Sequence, residues 1–511
     1  MSNTVSTLIA AHSAEALAIG APGRAWMTYG GLRDLSVKVA DALHDFGIGR
    51  GDRVAIVLPN SPEMATAFVT IAQTATTAPL NPAYRQEEYE FYLEDLQAKV
   101  LVVADDDDGP AVAAAQKFGV PVLRLSFNNS DPAGHFTLSA ADKIGDCDST
   151  CPTEDDVALI LHTSGTTSRP KIVPLLQSNV FASANNVRAS LALTQDDRCL
   201  NVMPLFHIHG LIAAVSGSLA AGGQIWCAPG FNALRFFAQL DDARPTWYTA
   251  VPTMHQTILT RADRNKDIIE RADLRFLRSS SASLPAPVME ELTEVFNAPV
   301  IEAYGMTEAA HQMCSTPLPP RAQKPGAVGV AAGPEVRTAN ETKNELLGIG
   351  QTGEIVISGP NVTPGYEGNP TANADNFFVV DGKRWFRTGD QGAFDDEGYL
   401  SLTGRLKEII NRGGEKISPL EVDAVLLGHP EIAQIVCFAV PHPKLGEEIA
   451  AAAVLSEGSE LQEKDIRAYA AEHIADFKVP RSIVLLDEIP KGATGKIQRI
   501  GMAEKLGLTA S

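Results

Sequence analysis

Strand-like and helix-like segments alternate along the first four-fifths of the chain. An apolar run at 52–58 that ends in a Pro-Asn-Ser-Pro turn predicts a strand, and a helical pattern follows at 63–74. Short apolar runs at 99–104 and 120–125 predict two further buried strands, with an alanine-rich helix at 110–117 between them. This alternation predicts parallel sheets covered by helices, which is an α/β fold.

The pattern changes near residue 350. Glycine-bounded strands at 353–359 and 398–404 predict a small antiparallel region. Beyond it the pattern predicts a compact α+β unit, with helices at 419–428 and 462–474 and strands at 433–440, 449–455 and 482–487. The sequence therefore predicts a large N-terminal domain over 1–404 and a small C-terminal domain over 405–511, with a hinge near 405–407.

Composition narrows the classes of function. The chain has 511 residues, of which 45% are hydrophobic and 20% charged, as is typical of a globular protein. The net charge of −20 argues against nucleic acid as a partner, because binding its phosphates requires a basic face. No apolar run approaches the length of a membrane span. The first 24 residues lack the basic start of a signal peptide and are expected to begin with an amphipathic helix.

The six cysteines are scattered along the chain. Only Cys147 and Cys151 lie near each other, and no Cys/His set has the spacing of a zinc site. We expect free thiols in a reducing, cytoplasmic compartment.

A loop rich in hydroxyl groups and glycine lies between two apolar runs. It contains Thr163, Ser164, Gly165, Thr166 and Thr167 and ends at a lysine, Lys171. Such a backbone is dense in donors, as a triphosphate requires, although the common G-x-x-x-x-G-K-[ST] spacing is absent. The flanking runs 157–162 and 172–175 predict strands. A phosphate-binding loop between strands and a solvated linker both fit this composition.

Three later segments carry candidate chemistry. Segment 302–308, Glu-Ala-Tyr-Gly-Met-Thr-Glu, is either an ordinary strand end or a nucleotide site, in which Glu308 could bind Mg²⁺. Asp390 follows two aromatic residues in a predicted turn, where it can bind both ribose hydroxyls or cap the turn. Lys496 lies between glycines and is either a catalytic lysine or a solvated loop lysine.

These segments resemble the motifs of the adenylate-forming (acyl-CoA synthetase/AMP-binding) enzymes. Segment 160–171 satisfies the AMP-binding signature of that family at every position, with Ser168 where glycine is common. The later motifs match in order and with family-like separations, at 304–308, 387–390, 404–408 and 490–496. The resemblance covers essentially the whole chain and implies the adenylate-forming fold with a mobile C-terminal domain.

The resemblance implies an activity in two steps. A carboxylate attacks the α-phosphate of ATP to give acyl-AMP and pyrophosphate, and a thiol, usually that of coenzyme A, then attacks the adenylate. It assigns the loop from Thr163 to Lys171 to the β- and γ-phosphates and Glu308 to Mg²⁺. The remaining ATP and AMP contacts that it implies are Glu302, Ala303, Tyr304, Thr307, Asp390, Arg405 and Lys496.

The resemblance also implies roles in catalysis and in the second step. Thr307 would lie near the α-phosphate, and Lys496 would bridge it to the substrate carboxylate. His207 would gate the site beside the reacting carboxylate. Lys407 matches the hinge about which the small domain rotates. Gly413 and Gly414 would let the backbone approach the pantetheine of coenzyme A.

Polar residues in the predicted acid pocket indicate which acid is bound. His209, Ser281 and His311 lie where relatives that use fatty or aromatic acids carry small or apolar residues. An alkyl chain would leave these donors unpaired, at about 1–3 kcal/mol each. A second carboxylate would pair them, and the surrounding motifs are similar to the oxalate-activating branch of the family. Alternatively, both histidines pair with backbone or water and the substrate lies elsewhere.

Three other functions remain open at this stage. The first is a general short- or medium-chain acyl-CoA synthetase, and the second is a domain that loads a carrier protein. The third is a regulator that binds a nucleotide without catalysis. Such a regulator is expected to have lost Lys496 or Glu308, and the chain has both.

Overall fold

The computed structural model describes residues 2–140, 143–163, 170–490 and 497–508, and within these ranges the chain forms four β-sheets. The strands in chain order are β1 Leu17–Gly20, β2 Met27–Thr28, β3 Arg53–Val57, β4 Thr76–Pro79, β5 Val100–Ala104, β6 Val122–Ser126, β7 Thr137–Ser139, β8 Val157–Thr163, β9 Lys171–Leu176, β10 Arg198–Asn201, β11 Gln224–Cys227, β12 Trp247–Ala250, β13 Phe276–Ser280, β14 Val300–Met306, β15 His311–Ser315, β16 Val330–Ala331, β17 Glu335–Ala339, β18 Gly353–Ser358, β19 Phe377–Val380, β20 Lys383–Phe394, β21 Leu400–Arg405, β22 Ile410–Arg412, β23 Glu415–Ile417, β24 Ile432–His442, β25 Gly446–Leu455 and β26 Ser482–Leu485.

Helices connect and cover these strands. The α-helices are α1 Thr7–Ala10, α2 Tyr29–Phe46, α3 Pro62–Ile71, α4 Gln86–Leu96, α5 Pro110–Phe118, α6 Gln177–Ser190, α7 Gly217–Ala221, α8 Phe236–Ala243, α9 Pro252–Leu259, α10 Lys266–Arg271, α11 Ala286–Phe296, α12 Pro370–Asn376, α13 Pro419–Leu427, α14 Glu463–His473 and α15 Met502–Lys505. A π-helical segment spans His209–Ser216, and 3-10 turns span Ala262–Asn265, Thr307–Ala309 and Asp476–Lys478. None of the helices in the described ranges is both long enough and apolar enough to cross a membrane.

The largest sheet positions most of the acid pocket. Its nine strands run in the order β16-β15-β14-β13-β12-β10-β11-β1-β2, and the six from β14 to β1 are parallel. Every residue of β12 and β13 is buried, because helices cover both faces of a parallel sheet. Residues that follow the carboxyl ends of neighbouring parallel strands meet at one edge, which is where α/β proteins bind ligands.

A second, seven-stranded sheet carries the predicted phosphate loop. Its order is β7-β6-β5-β3-β4-β8-β9, with a parallel centre from β6 to β8. Strands β8 and β9 are antiparallel and Thr163 pairs with Lys171, so the two ends of the loop face each other. The strands predicted on either side of the loop are therefore confirmed. Residues 164–169 lie outside the described residues.

The last two sheets confirm the change of pattern near residue 350. Strands β17 to β21 form an antiparallel sheet, and β22 to β26 form a small sheet with α13 and α14 packed on it. The α/β fold with an antiparallel region and a small α+β unit is therefore confirmed. The chain passes from β21 to β22 through a turn that contains Lys407. The domain boundary at 404–405 stays a prediction.

Two local predictions are wrong. The N-terminal stretch forms only the four-residue helix α1, and the apolar residues that follow it enter the sheet as β1, with Ile19 beside Ile225 of β11. Pairing with the sheet overrides the local helical pattern. Asp390 lies within the long strand β20 rather than in a turn, next to an irregularity where Gly389 has a φ of 76°.

The cysteines carry no disulfide. All six are free, and Cys199, Cys227, Cys314 and Cys437 are buried, as hydrophobic packing of thiols predicts.

A half-buried arginine, Arg499, links the C-terminal segment to residues that follow the predicted hinge. Arg499 contacts Asp423 at 2.7 Å and Glu408 at 3.5 Å, and it donates to the carbonyl of Cys437 at 3.1 Å. Burial raises the pKa of both carboxyl groups, so each depends on the cation to stay ionised.

Replacing this arginine should destabilise the small C-terminal unit. Because Arg499→Met leaves the buried Asp423 and the half-buried Glu408 without their cation, the expected cost is on the order of 3 kcal/mol of unfolding free energy, measured by urea denaturation. Arg271→Met removes a pair on the exposed surface and should change the midpoint little. Equal midpoints for the two variants would contradict the anchoring role.

Candidate active site

Carboxyl ends of four parallel strands converge on one polar pocket. His209 begins the π-helical segment after β10, Thr249 lies in β12, and Ser281 follows β13. His311 begins β15, which pairs with β14. The structure thus brings together the three residues that the sequence assigned to the acid pocket.

Hydrogen bonds and ring stacking link these side chains. The Nδ1 of His209 lies 3.0 Å from Ser281 Oγ, and its Nε2 lies 2.6 Å from Thr249 Oγ1. The rings of His209 and His311 stack, with centroids 5.2 Å apart and an interplanar angle of 16°. Both histidines are buried, whereas Ser281 is only half-buried. The side chains therefore form one connected polar site at the edge of the buried sheet.

Backbone strain marks two of these residues. Ser281 has a φ of 75° and His311 a φ of 105°, in the left-handed region that favours glycine. Each such residue costs about 1–3 kcal/mol and persists where the surrounding structure fixes it, often at a functional site. The strain therefore supports a functional role for this pocket.

Arg278 lies at the centre of the pocket, and the sequence analysis did not assign it a role. Its guanidinium contacts both histidines, with Nη1 3.2 Å from His209 Nε2 and Nη2 2.9 Å from His311 Nε2. It also donates to Thr249 at 3.4 Å and to Gln312 at 3.3 Å. In the sequence, Arg278 lies between two apolar residues and a run of serines, a pattern that gives no indication of its partners.

On the predicted phosphate side, a tyrosine lies between the lysine and the acid. Tyr366 donates from its hydroxyl to Glu308 Oε1 at 2.8 Å, and Lys171 Nζ lies 4.4 Å from the centre of the Tyr366 ring. Burial raises the pKa of the Glu308 carboxyl. Tyr366 was absent from the predicted site residues.

On the predicted ribose side, Asp390 is held by two partners. Tyr304 donates from its hydroxyl to Asp390 Oδ2 at 2.6 Å, and Arg405 Nε lies 3.3 Å from Oδ1. Burial raises the pKa of the Asp390 carboxyl. Three of the residues assigned to the nucleotide are therefore brought into one cluster.

Glu302 and Ala303, which the resemblance assigned to the nucleotide, form hydrogen bonds within the protein. The carboxyl of Glu302 accepts the backbone N–H of Leu284 at 2.9 Å, and burial raises its pKa to about 8. The carbonyl of Ala303 accepts the Ser280 hydroxyl at 2.7 Å. Both contacts fix the loop that presents Ser281, and the role of Glu302 and Ala303 in ATP binding stays a prediction.

The residues assigned to catalysis lie near the same edge of the sheet. Thr307 begins the 3-10 turn after β14 and is half-buried. His207 is half-buried in the loop between β10 and the π-helical segment, with its ring 5.4 Å from that of Phe206. Ser164, Gly165, Thr166, Thr167 and Lys496 lie outside the described residues.

The residues assigned to the hinge and to coenzyme A occupy exposed turns. Lys407 lies between β21 and β22. Gly413 and Gly414 join β22 to β23 with φ values of 62° and 98°, which a two-residue hairpin turn requires. This geometry explains both glycines without a ligand, and their contact with coenzyme A stays a prediction.

Comparison with known proteins identifies the class to which this arrangement belongs. Residues 9–367 match the AMP-binding enzyme family, and residues 421–496 match the C-terminal domain of AMP-binding enzymes. The chain therefore belongs to the AMP-binding enzyme family, as its motifs indicated.

Relatives with assigned activities extend over nearly the whole chain. An oxalate–CoA ligase of Arabidopsis thaliana is 46% identical, with 94% of each chain covered. An oxalate–CoA ligase of Saccharomyces cerevisiae is 40% identical, with 89% of this chain and 87% of the relative covered. Among solved structures, ATP-bound MatB from Rhodopseudomonas palustris has a TM-score of 0.87 and 28% identity, with 99% of each chain covered. The adenylate-forming fold is thereby confirmed.

The close approach of β14 and β15 yields a prediction about pocket geometry. A Cβ on Gly305 would lie 1.7 Å from the carbonyl oxygen of His311, so Gly305→Ala must push the strands apart and displace His311. We expect a fall of about 10²-fold in acid-dependent pyrophosphate release, because a 1 Å misplacement has that effect. Gly145→Ala, with no atom within 4 Å of its Cβ, is the matched control and should keep full activity. Full activity in Gly305→Ala would contradict this account.

Proposed function

We propose that this protein is an ATP-dependent, AMP-forming acid–CoA ligase that converts oxalate to oxalyl-CoA. The observation that carries this proposal is the buried cluster of His209, Ser281 and His311, where donors converge at the carboxyl edge of the large sheet. Both oxalate–CoA ligase relatives support the choice of acid.

The first half-reaction forms oxalyl-AMP. One carboxylate oxygen of oxalate attacks the α-phosphorus of ATP, the bond from that phosphorus to the bridging oxygen breaks, and pyrophosphate leaves with the electron pair. Such chemistry depends on positioning and on stabilising charge. In the proposed arrangement the loop from Thr163 to Lys171 holds the β- and γ-phosphates, and Thr307 and Lys496 contact the reacting groups.

The nucleotide is held by the remaining residues of the proposed site. Asp390 accepts the ribose hydroxyls, and Arg405 and Tyr304 keep its carboxylate in place. Glu302 and Ala303 contribute through the strand end that they stabilise. His207 closes the site beside the reacting carboxylate.

Glu308 suits a magnesium ion that is bound mainly by phosphate. Its carboxyl is buried and accepts a hydrogen bond from the Tyr366 hydroxyl on Oε1, which orients the group. Among the residues with a described placement, no cluster of three or more acid, His or Cys side chains could hold a metal without substrate. Mg²⁺ commonly takes one or two carboxylates plus substrate phosphates, and at this position it would neutralise charge on the triphosphate.

In the second half-reaction, coenzyme A must enter the site after pyrophosphate has left. The thiol of coenzyme A loses its proton and attacks the oxalyl carbonyl, and AMP leaves. We propose that the small domain over 405–511 rotates about Lys407 between the two steps, which withdraws Lys496 and brings Gly413 and Gly414 to the pantetheine. The proposed partners are thus small molecules, without nucleic acid, and the proposed location is the cytoplasm.

A general short- or medium-chain ligase and a carrier-loading enzyme are the alternatives. A general ligase would adenylate monocarboxylic acids efficiently, which the polar pocket opposes, because an alkyl chain cannot pair its donors. A carrier-loading enzyme would instead transfer the acyl group to the pantetheine of a carrier protein. Acid preference therefore separates the first alternative, and thioester formation with free coenzyme A separates the second.

Pyrophosphate release should be fastest with oxalate in a panel that also contains malonate, acetate and butyrate. His209→Ala and His311→Ala should each lower kcat/KM for oxalate roughly 10- to 100-fold, because each imidazole is bonded to the Arg278 guanidinium and a hydrogen bond to a charged group contributes about 1.5–3 kcal/mol. The KM for ATP is the internal control and should change little. Faster turnover of butyrate than oxalate by the wild type would refute the proposed function.

Lys496→Ala should separate the two half-reactions. Loss of a preorganised cation should slow adenylation about 10²- to 10³-fold. Transfer from preformed oxalyl-AMP to coenzyme A should persist, because the lysine is withdrawn for that step. Equal loss in both half-reactions, measured by pyrophosphate and thioester formation, would contradict the assigned role.

A further inference from the structure

Arg278 is a buried cation without an acidic partner in the described part of the chain. The side chain is fully buried, and all the side chains within hydrogen-bond distance are neutral or imidazole groups. Its Nε–H has no partner among the described residues. Leaving a buried charge uncompensated costs several kcal/mol, so the arrangement is complete only when an anion binds nearby.

The direction of the hydrogen bonds fixes the state of both histidines. A guanidinium can only donate, so the Nε2 of His209 and the Nε2 of His311 must both accept. Each ring is then neutral and carries its proton on Nδ1. Burial lowers the pKa of Arg278 to about 10, which leaves the guanidinium charged at neutral pH.

The tautomer of His209 orients the Ser281 hydroxyl. Because Nδ1–H donates to Ser281 Oγ at 3.0 Å, the serine oxygen is the acceptor and its own hydrogen points to another group. Ser281 is half-buried, so that hydrogen can reach a bound ligand. The charge of Arg278 thereby strengthens the Ser281 hydroxyl as a donor, through the imidazole ring of His209.

We infer that Arg278 is a positioning residue that makes the pocket selective for an acid with a second negative charge. Arg278 donates to His209 and His311, and His209 in turn orients the Ser281 hydroxyl toward the distal carboxylate of the substrate. The charge of Arg278 compensates that carboxylate. This inference rests on the proposed function, whose acid it explains. A purely structural role, in which Arg278 only satisfies buried histidines, would affect all acids equally.

Oxalate and oxamate form a matched pair of substrates for the test. Oxamate has the size and shape of oxalate, but a neutral amide replaces one carboxylate. We expect the wild type to prefer oxalate, and Arg278→Met to lower kcat/KM for oxalate on the order of 10²-fold while changing that for oxamate far less. A large fall in the ratio of kcat/KM for oxalate to kcat/KM for oxamate, with an unchanged KM for ATP, supports the inference.

Two further variants keep the test decisive. Arg278→Lys retains the charge but cannot bridge both imidazoles, so its ratio should lie between those of the wild type and Arg278→Met. If Arg278→Met does not fold, a ratio for Arg278→Lys equal to that of the wild type overturns the inference. Arg24→Met removes an arginine that pairs with Glu63 and has none of the pocket residues among its described partners, and it should leave the ratio unchanged.

The imidazole tautomers give a readout that needs no loss of activity. In the wild type, ¹⁵N resonances of His209 and His311 should report a proton on Nδ1 and none on Nε2. A protonated Nε2 on either ring overturns the inference, as does equal loss of oxalate and oxamate turnover in Arg278→Met. Absence of oxalate turnover by the wild type would instead refute the proposed function.

Discussion

Burial of the Arg278 guanidinium among neutral acceptors is the constraint on which the acid pocket depends. A charge without water must be balanced by close dipoles and, when substrate binds, by an opposite charge. The large sheet supplies those dipoles around Arg278 of β13, since other strands of the same sheet bring Thr249 in β12 and His311 in β15. The left-handed backbone of Ser281 and His311 is the strain that this arrangement requires.

The nucleotide side of the site uses a different device. Two tyrosine hydroxyls each donate to a buried carboxylate, Tyr304 to Asp390 and Tyr366 to Glu308. Burial raises the pKa of both acids, so in the proposed function each would bind ribose or cation less well as the pH falls through its raised pKa. The hydrogen bonds offset part of that effect and fix the direction in which each carboxylate faces. The proposed function thus assigns the acid and the nucleotide to separate clusters on either side of the end of β14.

Much of this fold could be predicted from sequence, because the motifs contain polar residues that directly follow predicted strands. The strands around the phosphate loop and the convergence of His209, Ser281 and His311 follow from such patterns. The role of Arg278 could not be predicted, because an arginine between two apolar residues and three serines does not reveal whether it faces solvent or a buried partner. Tyr366 was missed for a similar reason, since its contact with Glu308 joins residues 58 positions apart. The failure at the N-terminus arose because β1 depends on pairing with β11, which lies about 200 residues away.

The oxalate pocket is tested most directly by a crystal structure with AMP and oxalate bound. We predict that one carboxylate faces Thr307 and the nucleotide phosphate, while the other accepts a hydrogen bond from Ser281 Oγ, with Arg278 behind the imidazole rings. Oxalate bound away from Thr307, Ser281 and Arg278, or with its second carboxylate facing solvent, would refute this placement.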